Sequence, residues 1–401
     1  MTRLSLAHYR REKASLPTVW HGNFASMIND DLERVAIVGS SQTQLRSAWG
    51  AMQHVDLLSA TVSDLLLGSG FRIEDIDVVI DCGSDVLDGR SISNCGFLGA
   101  MGAHHKEESR VEEDGIFGAI YGANKVSCGS ADVALVIAYS KPSESSVSAY
   151  YSTISEPFYQ RPLGLDHVSA AGLMANQYLT HSGATEEDLI TIAFESWAKA
   201  NRNKDVQMAS APTRDDIARA ARIADPLTAP QLSRPVDGAV AILIAKESVA
   251  RKLSDRPVWI TGMGSAIDSH YLTERVPGKM RAAETATKFA LKGAGISDIN
   301  QFKLAEISAT SSANEAMVVE ALGFAEFGKA INCYNENSQV SINPSGGAIP
   351  ADPIMATGLV RLHESYKQLS GGYGEIKFDK AIAHGAGGLG MQNHCVITLE
   401  A

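Results

Sequence analysis

Three acidic residues stand together at Glu112, Glu113 and Asp114, directly before Gly115 and an apolar run. A fourth, Asp352, lies in a glycine-, proline- and alanine-rich stretch that begins at Asn343 and includes Gly346 and Gly347. His384 sits in a second glycine-rich run that contains Gly387 and Gly388. Carboxylates and imidazoles are the side chains best suited to take and return protons near neutral pH. Two readings of the acidic run stand open. At the start of a helix, carboxylates satisfy free N–H groups and are held as anions, which lowers their basicity. If two or three of them converge near Asp352, they raise one another's pKa instead. His384 is similarly divided between proton transfer and a hydrogen bond inside a tight turn.

Other chemistries find less support. The five cysteines, Cys82, Cys95, Cys128, Cys333 and Cys395, form no Cys-x-x-Cys pair, so neither a disulfide framework nor a zinc site is expected. His104 and His105 precede Lys106 and read as a solvated run, and no metal site is expected. No phosphate-binding glycine loop of the Walker or dinucleotide type occurs. Arg161, Lys199, Arg202 and Lys204 could meet phosphates, although ordinary surface charge is the simpler reading. Tyr150, Tyr151 and Tyr159 are expected to line either an acyl pocket or a subunit contact. A formal net charge of −11 argues against general binding to nucleic acid or anionic membranes. No stretch approaches the ~20 apolar residues of a membrane span. Met1–Asp30 lacks the apolar core of a secretory signal. A reducing, cytoplasmic setting is expected.

The elements that must position these residues come twice. Arg34–Val38 reads as a buried strand ending in a Gly/Ser turn, followed by a helix over about His54–Leu67, then Gly68-Ser-Gly70 and a strand to Asp81. Pro257–Thr261, a helix over about Met280–Leu291, Gly293-Ala-Gly295 and a strand to Ile307 repeat that order. The offsets are 223 residues from Arg34 to Pro257 and 225 from Gly68 to Gly293. Continuous apolar strands such as Val133–Ala138 and Ala239–Ala245 imply sheets covered on both faces. The chain is therefore expected to divide into an N-terminal arm (1–31), a first half (32–250) carrying an insertion at about 145–232, and a second half (251–401).

Several motifs then resemble one family. Asn343–Gly358 resembles the thiolase stretch Asn-x-x-Gly-Gly…Gly-His-Pro-x-Gly-Ala-Thr-Gly. Asn314–Gly323 is similar to the Asn-Glu…Glu-Ala-Leu-Gly helix of the sterol-carrier-protein type of thiolase. Ala383–Gly390 resembles the glycine-rich hairpin that closes the thiolase site, and Arg234–Ala241 the Asp-Gly-Ala-Ala strand entry. The resemblance implies an α/β protein of thiolase fold: two similar βαβαβ-type halves packed as αβαβα layers, with an inserted loop domain.

The resemblance also locates departures. Glu112 falls where the family has its cysteine nucleophile, with Gly115 matching the glycine of Cys-x-x-Gly. Ser308–Ser311 replaces the His-Asp-Cys-Phe segment, and Asp352 replaces the histidine of Gly-His-Pro. The resemblance places Glu112, Asp352 and His384 at catalytic pocket positions, and Asn343, Gly346, Gly347, Ser308, Gly387 and Gly388 at substrate-binding ones. A coenzyme A thioester is the implied ligand, with no covalently bound cofactor. Two functions follow as expectations. One is a degenerate subunit of an acyltransferase complex, paired with a cysteine-bearing thiolase paralogue and a small zinc-ribbon/OB-fold protein. The other is a cysteine-independent retro-aldolase or acyltransferase acting on a β-hydroxy- or β-ketoacyl-CoA. A ketosynthase-type enzyme is disfavoured, because it too needs the cysteine.

Overall fold

The computed structural model describes residues 32–374 and 377–401, so the expected N-terminal arm lies outside the described residues. The first half contributes β1 (Val35–Gln42), β2 (Val78–Cys82), β3 (Glu107–Val111), β4 (Val133–Ser140) and β5 (Gly238–Lys246). The second contributes β6 (Val258–Ile267), β7 (Leu304–Ile307), β8 (Ser341–Ile342), β9 (Lys380–Gly387) and β10 (Asn393–Glu400). All ten form one sheet in the order β3-β2-β4-β5-β1-β6-β10-β9-β7-β8. Outward from the β1–β6 joint, the order is 1-5-4-2-3 on one side and 6-10-9-7-8 on the other. The directions repeat too. β2 runs parallel to β3 and β4, as β7 does to β8 and β9. The pairs nearer the joint are antiparallel on both sides. The repeat read from residue spacing is thus a repeat of topology.

Side chains alternate across each strand. On β4, Ala134, Val136 and Ala138 pack toward the middle of the molecule, while Val133, Leu135, Ile137 and Tyr139 pack outward. Both sets need a cover, which is why these strands are apolar throughout. The outer cover of the first half is α1 (His54–Ser69), and that of the second is α6 (Arg281–Ala294). Between the two half-sheets lie α2 (Gly115–Ser127) and α8 (Thr357–Ser370), in contact with each other. This gives five layers, α/β/α/β/α. α2 buries one face and leaves Tyr121 and Asn124 exposed, whereas α8 is enclosed continuously from Thr357 to Ser365. Its charged residues are partnered: Arg361 donates to Glu306 at 2.9 Å, and Asn203 donates to Glu364 at 3.1 Å.

The inserted segment holds α3 (Val147–Ile154), α4 (His167–Ser182) and α5 (Glu186–Ala200). It leaves the first half after β4 yet packs α4 and α5 on α7 (Ser312–Leu322) of the second half. Caps fix two of these starts: Asp166 accepts from Ser169 N at 2.9 Å, and Thr185 accepts from Asp188 N at 3.2 Å. Among the described residues no helix is long and apolar enough to cross a membrane.

Candidate functional site

The site grows from the meeting of two helix N-termini. Asp114 is the N-cap of α2: its Oδ1 accepts from Ile116 N at 2.9 Å. Its Oδ2 accepts from Gly358 N, in the first turn of α8, at 2.7 Å. Gly358 permits this approach, since a Cβ there would lie 2.3 Å from Asp114 Oδ1. Burial pushes the Asp114 carboxyl up, against the pull of the two amides.

The other two acids of the run diverge. Glu112 turns outward, accepting from Asp85 N at 2.6 Å and from Arg110 Nε at 3.0 Å, with its side chain 49% exposed. The pocket position expected for Glu112 is not where the structure puts it, because Arg110 on β3 holds it at the surface. That arginine also meets Asp81, Asp85 and Asp88. Glu113 turns inward. Its Oε2 accepts from Asn393 Nδ2 at 2.6 Å, and its Oε1 lies against Gly387, where a Cβ would come within 1.8 Å. Burial raises the Glu113 carboxyl, and the Asn393 donor partly offsets that rise.

The motif segments meet around these N-termini. The stretch Ser233–Val236 runs between two of them. Ser233 N donates to Thr310 O, Arg234 N to Ile349 O, Asp352 N to Arg234 O and Val236 N to Asp352 O. Asp352 is buried and takes a short hydrogen bond from the Thr357 hydroxyl, with a second from Ser233. Burial raises its carboxyl, and those donors pull it back. Tyr150 and Tyr151 of α3 pack together here, both pushed up first by burial and then by surrounding carboxylates that include Glu113 and Asp352. His167 stacks on Tyr151 with ring centroids 4.6 Å apart, and burial lowers its pKa although Asp166 and Asp352 oppose this. The acids Glu113, Asp114 and Asp352 therefore do share one electrostatic neighbourhood. Next to Asp352, through its neighbours Ser233 and Pro235, opens a cavity of about 600 Å³, lined also by His167, Trp197, Pro230, Arg234 and Thr310. His167 Nδ1 has no hydrogen-bond partner there.

The remaining expected residues fall into three groups. Ser308 directly follows β7, beside His384, whose carbonyl accepts from Ser308 N at 3.0 Å. His384 is fully buried, and its Nε2 lies 3.0 Å from Nδ1 of His394. Burial and the partner imidazole hold His384 far below the usual histidine range, and burial takes His394 down to about 3. Both rings are therefore neutral at pH 7. Gly388 adopts φ 74° in the β9–β10 turn, and Gly387 cradles Glu113. Asn343, Gly346 and Gly347 form a packed internal loop rather than a wall of the cavity. Asn343 Oδ1 accepts from Ile307 N at 2.7 Å, Gly346 packs on Ala200, and Gly347 on Asn343.

Of the cations considered for phosphate, Arg161 donates instead to the carbonyls of Ser152, Thr153 and Ser155, and Lys199 to that of Ile342. Tyr159 is 72% exposed. Cys82 and Cys395 lie near α2 but are fully buried, which raises both thiols well above their usual range. Cys95 and Cys128 are exposed. Sequence reasoning missed His167, Ser233, Asn393 and His394. No local spacing marks them, and tertiary packing alone brings them here.

Residues 264–400 match the thiolase C-terminal domain-like family. An acetyl-CoA acetyltransferase of Methanothermobacter thermautotrophicus is 25% identical over 388 residues, covering 89% of this chain and 97% of that protein. Sterol carrier protein 2 of Rattus norvegicus is 25% identical over 295 residues, covering 68% of this chain but 53% of that protein. Among solved structures, the Ltp2-ChsH2(DUF35) aldolase superposes with a TM-score of 0.76 at 18% identity, over 92% of this chain and 98% of that one. Its doubled strand order and paired central helices give this chain the thiolase fold, and its sequence is similar to thiolase-family proteins and to sterol carrier protein 2.

Proposed function

We propose that the chain is a thiolase-like acyltransferase component that makes or breaks carbon–carbon bonds in coenzyme A thioesters. The similarity to an acetyl-CoA acetyltransferase over nearly its full length supports the ligand class. The cavity beside Asp352 has room for an acyl thioester arm, and the inserted segment at about 145–232 shapes it. One observation carries the mechanistic part. The N-terminus of α2 presents three carboxylates and no thiol, and the cysteines nearest it are sealed in the core. The covalent cysteine cycle therefore has no nucleophile here.

Of the two versions expected from the sequence, the geometry favours cysteine-independent aldol chemistry over a silent subunit. A silent subunit needs no acids withdrawn from water, whereas burial raises the carboxyls of Glu113 and Asp352, and Asp352 adjoins the cavity through Ser233 and Pro235. The structural neighbour is itself an aldolase, which supports this version. In the cleavage direction, a base takes the β-hydroxyl proton. The Cα–Cβ electrons pass to the thioester as an enolate, and the β-carbon leaves as a carbonyl. The enolate is then protonated at Cα. Partners in this reading are a thiolase-type dimer mate and a small zinc-ribbon/OB-fold protein; the DUF35 component of the neighbouring aldolase supports an accessory protein. Five free thiols suit a reducing, cytoplasmic setting.

The test supplies acetoacetyl-CoA with CoA, and separately a β-hydroxyacyl-CoA, to the chain alone and to the chain with co-purified partners. The expected result is aldol cleavage without thiolysis. Thiolysis by the chain alone sinks the reading. Inactivity of this chain, with thiolysis appearing only beside a cysteine-bearing partner, restores the silent-subunit version.

A further inference from the structure

We propose that Glu113 is the proton-transferring residue of this site, and that Gly387 is glycine because the Glu113 carboxylate occupies the space a side chain would fill. The inference rests on the cysteine-independent reading above and names its acid–base group.

Elimination among the acids comes first. Glu112 is spent at the surface on Arg110 and on the amide of Asp85. Asp114 has both oxygens on backbone amides at helix N-termini, so protonating or moving it would unpin two helices. Asp352 is tied to the Thr357 hydroxyl and is part of the backbone ladder with Arg234 and Val236. Glu113 differs. Its Oε2 takes one strong bond from Asn393, but its Oε1 has only the amide of Asp114 at 3.3 Å. One carboxylate oxygen thus remains able to accept a proton without breaking the fold.

The hairpin supplies the second observation. A Cβ on Gly387 would lie 1.8 Å from Glu113 Oε1 and 2.6 Å from its carboxyl carbon. Gly387 is not in the left-handed region, so backbone conformation gives no reason for glycine there. Space for the carboxylate does. Asn393, at the start of β10, completes the cradle from the strand paired with β9. Its Oδ1 is buried without a partner, so its amide is oriented by Glu113 alone. Burial also keeps this carboxyl above the ordinary range, which brings a general base toward the pH at which it works.

The step balances simply. Glu113 carboxylate takes a proton from Cα of an acyl-CoA, and the C–H electrons move to the thioester oxygen as an enolate. The carboxylic acid then returns a proton to Cα. In the cleavage direction, the same oxygen takes the β-hydroxyl proton and later protonates the enolate.

Incorporation of deuterium at Cα of propionyl-CoA in deuterium oxide, read by mass spectrometry, isolates this step without knowledge of the natural substrate. The full chain is used, with its co-purified partners, and binding of propionyl-CoA is measured in parallel. E113Q is expected to lose about 10²- to 10⁴-fold in exchange rate while still binding the thioester. E113D should recover part of it. N393A removes a donor to the carboxylate and should move the pH midpoint of exchange upward, which a purely structural role would not do. Exchange within about threefold of wild type in E113Q, or a larger loss in E112Q than in E113Q, overturns the assignment and leaves the thioester reading standing. A wild type that binds propionyl-CoA but exchanges nothing overturns the assignment in favour of a silent subunit. A wild type that binds no CoA thioester sinks both.

Discussion

Asp114 and Gly358 join the two halves at the point where both central helices begin: the carboxylate of one accepts the amide of the other at 2.7 Å. The same carboxylate caps its own helix through Ile116 N at 2.9 Å. One side chain therefore terminates α2 and α8 together. Losing an N-cap costs roughly 0.5–2 kcal/mol, and a buried amide left without an acceptor adds a similar amount. D114A should thus destabilise the fold by about 2–4 kcal/mol in urea unfolding. A loss below about 0.5 kcal/mol would show that the double cap contributes little.

Much of this frame is legible in the sequence. The 223- and 225-residue offsets survive because both halves keep strand, helix, Gly-x-Gly and strand in order. The start of α2 was legible as well, since acids before a glycine and an apolar run mark a helix N-terminus. Which acid turns inward was not. Arg110 draws Glu112 out, and Gly387, from the far end of the chain, leaves room for Glu113. Neither effect has a local signature. The motif Asn343–Gly347 is expected from the sequence at the substrate, whereas the inserted α5 folds over it through Ala200. The His384–His394 pair depends on β9–β10 register, in which Ala386 faces His394 and His384 faces Val396.

The cysteines allow a direct chemical check. Cys95 and Cys128 are exposed, while Cys82, Cys333 and Cys395 are buried with raised thiols. Reactivity follows thiolate content and access. Iodoacetamide at pH 8 should therefore modify Cys95 and Cys128 in the native protein, and all five cysteines after denaturation. Peptide mapping reads this directly. Rapid native labelling of Cys395 would mean that a thiol reaches the site after all. C95S/C128S should keep its exchange and aldol rates.

Acid should weaken the fold through a histidine remote from the chemistry. His363 is buried on α8, with Nδ1 2.8 Å from Ser40 Oγ and Nε2 unpartnered. Burial takes its pKa down to about 3. The unfolded chain regains the ordinary value near 6.5 and binds the proton that the folded chain refuses. Its stabilising contribution is therefore complete above about pH 6.5 and lost as pH falls toward 3. Between pH 8 and pH 5 the loss from this residue is about 2 kcal/mol. H363Q keeps a group able to bond Ser40 but does not titrate. Its urea-unfolding free energy should fall less than that of wild type over that interval, by about this amount. Parallel pH profiles would refute the placement of His363.

The contact between Gly387 and Glu113 can be measured as a coupling. G387A adds a methyl group whose carbon would sit 1.8 Å from Glu113 Oε1, so one of the two must move. The flexible carboxylate yields more readily than the hairpin. Moving it breaks the 2.6 Å bond from Asn393, and hydrogen bonds to charged groups contribute roughly 1.5–3 kcal/mol. G387A alone should then cost about 1–3 kcal/mol in unfolding free energy. In an E113A background, the space is already empty and no carboxylate remains to be displaced. The same G387A change should cost less than about 0.5 kcal/mol there. A double-mutant cycle of wild type, G387A, E113A and G387A/E113A thus predicts a coupling above about 1 kcal/mol, well outside the scatter for independent sites. Additive costs would mean that the glycine answers to the hairpin turn, where Gly388 at φ 74° already supplies the required left-handed residue, rather than to the carboxylate. A positive coupling ties the glycine run of the hairpin to the Glu113 carboxylate.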